Sequence, residues 1–185
     1  MNETRQKAVF LDRDGTIIEE VNFLSDPEQV RLFPGTLDAL RNLRAAGFLI
    51  VVVTNQSGVG RGFFNEDSVH AVHSKIQELT ANSIDAFYFC PHLPNDGCEC
   101  RKPSDGMVRS AVYELGIDLD GSWIVGDKRL DVLTGRQAGI RSILVRTGYG
   151  SDHESEIGEN SCFVADEINQ AAEFILKSEL NPTRD

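Results

Sequence analysis

The chain has 185 residues, 41% hydrophobic and 25% charged, enough to bury a full core. A net charge of −11 and an isoelectric point near 4.8 argue against nucleic acid as the main partner. No apolar stretch reaches the length of a membrane span and no hydrophobic signal region precedes the first apolar run, so a cytoplasmic chain without a membrane partner is expected.

Residues 8–11 form the first predicted strand, which ends abruptly in Asp12-Arg13-Asp14-Gly15-Thr16. Carboxylates clustered at a buried strand end repel and lose solvation, and a divalent cation is the usual offset. The plainer reading of Asp-Gly is a turn. Residues 15–34 fit no helix and are expected to leave the sheet as a small irregular or hairpin insertion able to touch substrate. A helix is predicted over 36–46, with a stop at Gly47. The next strand, 49–54, ends in Thr54-Asn55-Gln56-Ser57-Gly58. A Thr hydroxyl and free backbone N–H groups there can hold phosphate oxygens, or simply begin a helix. A helix over 66–80 carries His70 and His73, read as surface residues.

Strand 86–90 runs into the segment holding Cys90, Cys98 and Cys100, followed by Arg101-Lys102-Pro103 and a helix over 105–115. Strand 123–125 ends in Gly126-Asp127-Lys128. Asp127 is a natural further metal ligand, while Asp131 is read as a cap for the helix over 131–138. Strands 142–145 and 162–164 and a helix over 167–177 complete the chain, with Cys162 expected to pack as a small apolar residue. Residues 1–180 are expected to form a single domain and 181–185 a frayed tail. Alternating strands and helices predict an α/β fold, a mostly parallel sheet with helices on both faces. Its strands would then deliver acids, a hydroxyl and cations to one edge, where open sheets bind ligands. Hard oxygen ligands, few in number, suggest Mg²⁺ shared with a phosphate.

Cys90, His92, Cys98 and Cys100 form two pairs spaced i, i+2, so each pair can chelate from one side. Three thiolates and one imidazole make a closed tetrahedral set, hence a structural Zn²⁺. Such a loop would also place Arg101 and Lys102.

Asp12-Arg13-Asp14-Gly15-Thr16, Thr54-Asn55-Gln56, Lys102 and Gly126-Asp127-Lys128 resemble, in order, the four motifs of the haloacid dehalogenase superfamily of phosphatases. The resemblance implies a Rossmann-like fold. It implies Asp12 as a nucleophile that becomes an aspartyl-phosphate, and Asp14 as the general acid and then the base. Thr54 and Lys102 would bind the transferring phosphoryl group, and Asp12, the Asp14 carbonyl and Asp127 would hold Mg²⁺. The cysteine loop resembles those of two branches, the heptose bisphosphate phosphatases and the histidinol-phosphatases. Glu20-Val21-Asn22-Phe23, Arg61-Gly62 and Lys128 are more similar to the heptose branch. That similarity implies substrate contacts from Glu20, Val21, Asn22, Phe23, Asn55, Gln56, Ser57, Arg101 and Lys128, with Arg101 on a second phosphate. A monomer acting on a phosphorylated sugar in nucleotide-activated heptose biosynthesis is the resulting expectation. Histidinol-phosphate hydrolysis and an inactive zinc-stabilised binding module stay open as alternatives.

Overall fold

The computed structural model describes residues 5–158 and 163–180, and its centre is a sheet of six parallel strands in the order β3-β2-β1-β4-β5-β6. The strands are β1 (Gln6–Leu11), β2 (Leu49–Asn55), β3 (Ala86–Cys90), β4 (Ile117–Gly126), β5 (Arg141–Val145) and β6 (Phe163–Ala165). The helices are α1 (Thr36–Ala45), α2 (Ser57–Gly60), α3 (Glu66–Leu79), α4 (Gly106–Leu115), α5 (Arg129–Ala138), α6 (Gly150–His153) and α7 (Ile168–Leu180).

Side-chain alternation along the strands explains the layers. Val9 and Leu11 face one core with Ile50, Val52 and the apolar stripes of α1, α3 and α7. Ala8 and Phe10 face the other with Val51, Val53 and α4. Both faces are therefore covered, which is why the strands read as continuous apolar runs rather than alternating ones. Gly116 and Gly139 end α4 and α5 in the left-handed conformation, as their positions predict.

β4 is longer than predicted. Ile117 and Asp118 pair with Gln6 and Lys7, then the register shifts before Trp123 pairs with Val9. Asp118, Asp120 and Gly121 in that stretch look unlike a strand, because they sit at an irregularity. There Ser122 Oγ accepts from the Ala8 N–H at 2.9 Å, replacing a ladder bond. The 15–34 insertion is irregular as expected, with isolated bridges from Ile18 to Asp14 and Leu32 and one 3₁₀ turn at Pro27–Gln29. Cys162, residues 181–185 and the first four residues lie outside the described residues.

One expectation is corrected. His73 is buried on the inner face of α3, its ring stacked on Phe87 at 4.4 Å, whereas His70 is exposed. Helical periodicity identifies an apolar face but a histidine on its border can turn either way.

From β1 the chain winds outward through β2 and β3, then returns to lay β4 against the other side of β1. The order reverses between β1 and β4, and the crevice at their carboxyl ends is where such sheets bind ligands.

Candidate active site

Asp12 follows β1 and is 5% exposed. Lys102, which precedes α4, reaches it through the protein: its Nζ lies 2.9 Å from Asp12 Oδ1, 2.5 Å from Asp131 Oδ1 and 2.9 Å from the Val53 carbonyl oxygen. Lys102 is thereby buried with its ammonium fully partnered. Asn55 fixes the lysine's backbone from both sides, accepting from the Lys102 N–H at 3.0 Å and donating to its carbonyl at 3.2 Å. Thr54, 1% exposed, is the penultimate residue of β2, next to Asn55. Asp12, Asp14, Thr54, Lys102, Lys128 and Asp131 line one small cavity of about 40 Å³. A second, of about 470 Å³, adjoins it: Lys102 and Leu130 line both, and Arg101, Leu93 and Ser104 are among the other residues of its wall.

Electrostatics divides the acids. Burial works against the Asp12 carboxylate, yet Lys102 and Lys128 outweigh it and hold its pKa below the ordinary range. Burial likewise opposes the Lys102 charge, but Asp12 and Asp131 hold its pKa above normal. Asp127 lacks such a partner. Burial and the Asp12 charge push it up to about 8, against the opposing pull of Lys128 at 3.9 Å and the Tyr149 N–H. Its Oδ2 accepts the Tyr149 N–H at 2.9 Å, while its Oδ1 is buried with no hydrogen-bond partner.

That orphaned oxygen fits a cation. Ligand oxygens of Asp12, Asp127 and Asp131 lie within 4.8 Å of one another. Asp131 is already committed, accepting the Lys128 N–H at 3.0 Å and the Lys102 ammonium, so it caps α5 and holds the lysine together. Asp12 and Asp127 remain as the available carboxylates. Their cradle is tight: a Cβ on Gly15 or Gly148 would come within 2.3 or 2.4 Å of Asp127 Oδ2. Only glycine leaves that space, and at positive φ in both cases.

The sulfur cluster fits a second metal. Cys90 Sγ lies 3.1 Å from Cys100 Sγ and 3.6 Å from Cys98 Sγ and His92 Nδ1, and His92 Nδ1 lies 3.2 Å from Cys100 Sγ. Edges of a zinc tetrahedron with bonds of 2.0–2.3 Å are about 3.5–3.8 Å; two of these distances match and two are shorter, and all four ligand atoms lie within 4.8 Å of one another.

The other expected residues have different surroundings. Lys128 Nζ meets Glu20 Oε2 at 3.4 Å and sits 4.8 Å above the Tyr149 ring. Phe23, at φ 53°, sets its ring edge-on to Phe63 at 4.8 Å, with the Arg61 guanidinium 5.7 Å away. Val21 packs against the core, Asn22 is exposed, and Ser57 starts α2. Gln56 is buried and gives its amide hydrogens to Asp14 and Thr54, both at 2.9 Å. Arg101 donates to the His92 carbonyl at 3.1 Å. Sequence reasoning passed over Arg13, Thr147 and Tyr149. Thr147 Oγ1 donates to the Gly15 carbonyl at 2.7 Å, pinning the β5–α6 loop onto the β1 loop. Only Arg13 carried a signal, a cation between two acids at the end of a buried run.

A buried ammonium shared between two carboxylates, with a hydroxyl beside it and an acid with one orphaned oxygen across the sheet's reversal point, is chemistry for a phosphoryl group. The class this fold and site define is the haloacid dehalogenase-type hydrolase. The family model described as "HAD-hyrolase-like" matches residues 99–171, the part holding Lys102, Asp127 and Asp131. The chain is 38% identical to a D-glycero-D-manno-heptose-1,7-bisphosphate 7-phosphatase of Thermosynechococcus vestitus, over 91% of this chain and 94% of that one. It is 40% identical to a D-glycero-beta-D-manno-heptose-1,7-bisphosphate 7-phosphatase of Pasteurella multocida, over 77% and 83%. The crystal structure of D,D-heptose 1,7-bisphosphate phosphatase from B. bronchiseptica, complexed with magnesium and phosphate, superposes with a TM-score of 0.86 at 36% identity, covering 93% of this chain and 99% of that one. The chain belongs to the heptose-bisphosphate phosphatase family of the haloacid dehalogenase superfamily, and is a phosphoric monoester hydrolase. Among the described residues no helix is long and apolar enough to cross a membrane.

Proposed function

We propose that this chain removes the 7-phosphate of D-glycero-D-manno-heptose 1,7-bisphosphate, as a cytoplasmic monomer in nucleotide-activated heptose biosynthesis. The observation that carries the reading is the buried Lys102 held 2.9 Å from Asp12, in a chain similar throughout to enzymes named for that reaction. Asp12, the Asp14 carbonyl and Asp127 would hold Mg²⁺, which supplies positive charge to the phosphoryl oxygens. A Zn²⁺ held by Cys90, His92, Cys98 and Cys100 would be structural, stiffening the loop that leads into Lys102.

The ionised Asp12 attacks phosphorus, and the bond from phosphorus to the sugar oxygen breaks. Asp14 gives its proton to that departing oxygen. Lys102 and the Thr54 hydroxyl bind the phosphoryl oxygens throughout. Asp14, now ionised, takes a proton from water, whose oxygen attacks the aspartyl-phosphate. The bond from phosphorus to Asp12 breaks, restoring the carboxylate and releasing phosphate.

The reacting phosphoryl group would sit in the small cavity lined by Asp12, Thr54 and Lys102. A bisphosphate anchored there extends into the adjoining larger cavity, where Arg101 offers a guanidinium fork for the second phosphate. Glu20, Lys128, Val21, Asn22, Phe23, Asn55 and Ser57 complete the proposed substrate side of the site. The test is kcat/KM with Mg²⁺ for the α and β anomers of the heptose bisphosphate beside histidinol phosphate. A strong preference for one heptose anomer is expected; a preference for histidinol phosphate would overturn the reading.

A further inference from the structure

Arg13 has no part in the reaction as written, yet its side chain is among the largest that are fully buried. Its Nε donates to Asp14 Oδ2 at 3.0 Å and its Nη2 to Asp14 Oδ1 at 2.9 Å, a fork on the neighbouring carboxylate. The same Nη2 lies 2.8 Å from Oδ2. Gln56 Nε2 donates to Oδ2 as well, at 2.9 Å, and gives its other hydrogen to Thr54 Oγ1 at 2.9 Å.

A buried ion pair is a poor way to stabilise a fold, because apolar replacements of similar volume are often neutral or better. An apolar side chain would extend the buried run of residues 8–11. What a bidentate pair supplies is geometry: it fixes the carboxylate's plane and rotamer. The hydrogen bonds are also uneven. Oδ2 accepts from Arg13 Nε and Gln56 Nε2, whereas Oδ1 accepts only from Arg13 Nη2 and keeps a lone pair.

We propose that Arg13 and Gln56 are positioning residues that lock Asp14 by its Oδ2 edge and leave Oδ1 to carry the transferred proton. Through Gln56 the clamp also ties Asp14 to the Thr54 hydroxyl, so proton transfer and phosphoryl binding share one rigid frame. The role of Gln56 is then to orient two groups, since both of its amide hydrogens are engaged away from the sugar. This inference rests on the acid–base role proposed for Asp14.

The leaving group provides the test. A sugar alkoxide needs a proton as it departs, whereas p-nitrophenolate does not. The variants Gln56→Leu, Arg13→Lys and Asp14→Asn would be compared on the heptose bisphosphate and on p-nitrophenyl phosphate. Gln56→Leu is expected to lose roughly tenfold to hundredfold in kcat/KM on the heptose substrate, part of the about 10²–10⁴ that a positioned acid–base group contributes. On p-nitrophenyl phosphate its first step stays within about threefold of wild type, because no acid is required there. The second step still needs the base, so a rapid burst of p-nitrophenolate should precede a slow steady state. Arg13→Lys should behave alike, since an ammonium cannot form the fork. Should Arg13→Lys fail to fold by circular dichroism, Gln56→Leu carries the test.

Equal losses on both substrates without a burst would mean a merely structural role, and unimpaired heptose turnover would mean none; either overturns the proposal. Full activity in a folded Arg13→Lys would overturn the fork. Asp14→Asn separates the two levels. If it lacks the leaving-group signature, the acid–base role fails and the clamp falls with it. If Asp14→Asn shows the signature and Gln56→Leu does not, only the clamp fails.

Discussion

Asp127 is a carboxylate that the folded protein leaves uncomfortable. Burial and Asp12 push its pKa up to about 8, and one of its oxygens has no partner. A bound divalent cation would reverse that penalty and so stabilise the fold by linkage. Adding Mg²⁺ to metal-free protein at neutral pH is therefore expected to raise the melting temperature, and Asp127→Asn to abolish that rise, as scanning calorimetry would show. A Tm indifferent to Mg²⁺ in the wild type would count against the site. Asp12→Asn should eliminate turnover while preserving the circular dichroism spectrum. Substantial residual phosphate release would remove Asp12 from its role as nucleophile. At this scale the sequence was informative wherever chemistry sits beside a strand end: Asp12, Thr54 and Asp127 were all visible from the apolar runs before them. The partner of Arg13 and the second engagement of Asp131 were not, because nothing in a one-dimensional string shows which buried partner a side chain finds.

Among the elements, α3 holds a buried histidine that makes stability depend on pH. Burial, then the charges of Arg13 and His70, depress the His73 pKa to about 3 from 6.5. Between those values the unfolded chain binds a proton that the native state refuses, so this contribution to stability is lost as pH falls through 6.5 toward 3. The slope approaches about 1.4 kcal/mol per pH unit once the unfolded histidine is fully protonated. His73→Phe should flatten the decline, read as urea midpoints at several pH values; an unchanged slope would show that His73 is not responsible. The β5–α6 loop makes a sharper demand. Gly148 has φ 57° and a Cβ there would meet Gly15 Cα at 2.6 Å as well as Asp127. Gly148→Ala is expected to cost Mg²⁺ affinity at least tenfold by titration calorimetry, since the carboxylate must move. Unaltered affinity would show that the loop gives way instead. Periodicity located α1 and α3 to within a residue at each end, yet missed the four-residue helices α2 and α6, which are too short to display a period.

In the whole molecule the site belongs to no single segment. β1 and β4 bring Asp12 and Asp127 together, β2 supplies Thr54, and the cysteine loop delivers Lys102 along a route held by Asn55. Stripping zinc with a thiol-reactive mercurial should therefore release zinc, lower Tm and depress kcat even with Mg²⁺ in excess. Zinc release without loss of activity would separate the loop from the site. The sequence by itself determined the layer order and the chemistry. Continuous apolar runs can be buried only between two helix layers, and paired acids, a hydroxyl and a lone lysine after such runs define a phosphoryl-handling set. It also defined the cysteine and histidine pairs, because i, i+2 spacing alone puts two ligands on one side. Tertiary structure decided which charge faces which. The strand order brought Asp131 under Lys102, the glycines let two loops close on Asp127, and the bend after β1 folded Arg13 back onto Asp14. Apart from the Arg13–Asp14 fork these contacts join distant residues, as does the Thr147–Gly15 bond across 132 positions, and their energies depend on burial and distance, which no local pattern encodes.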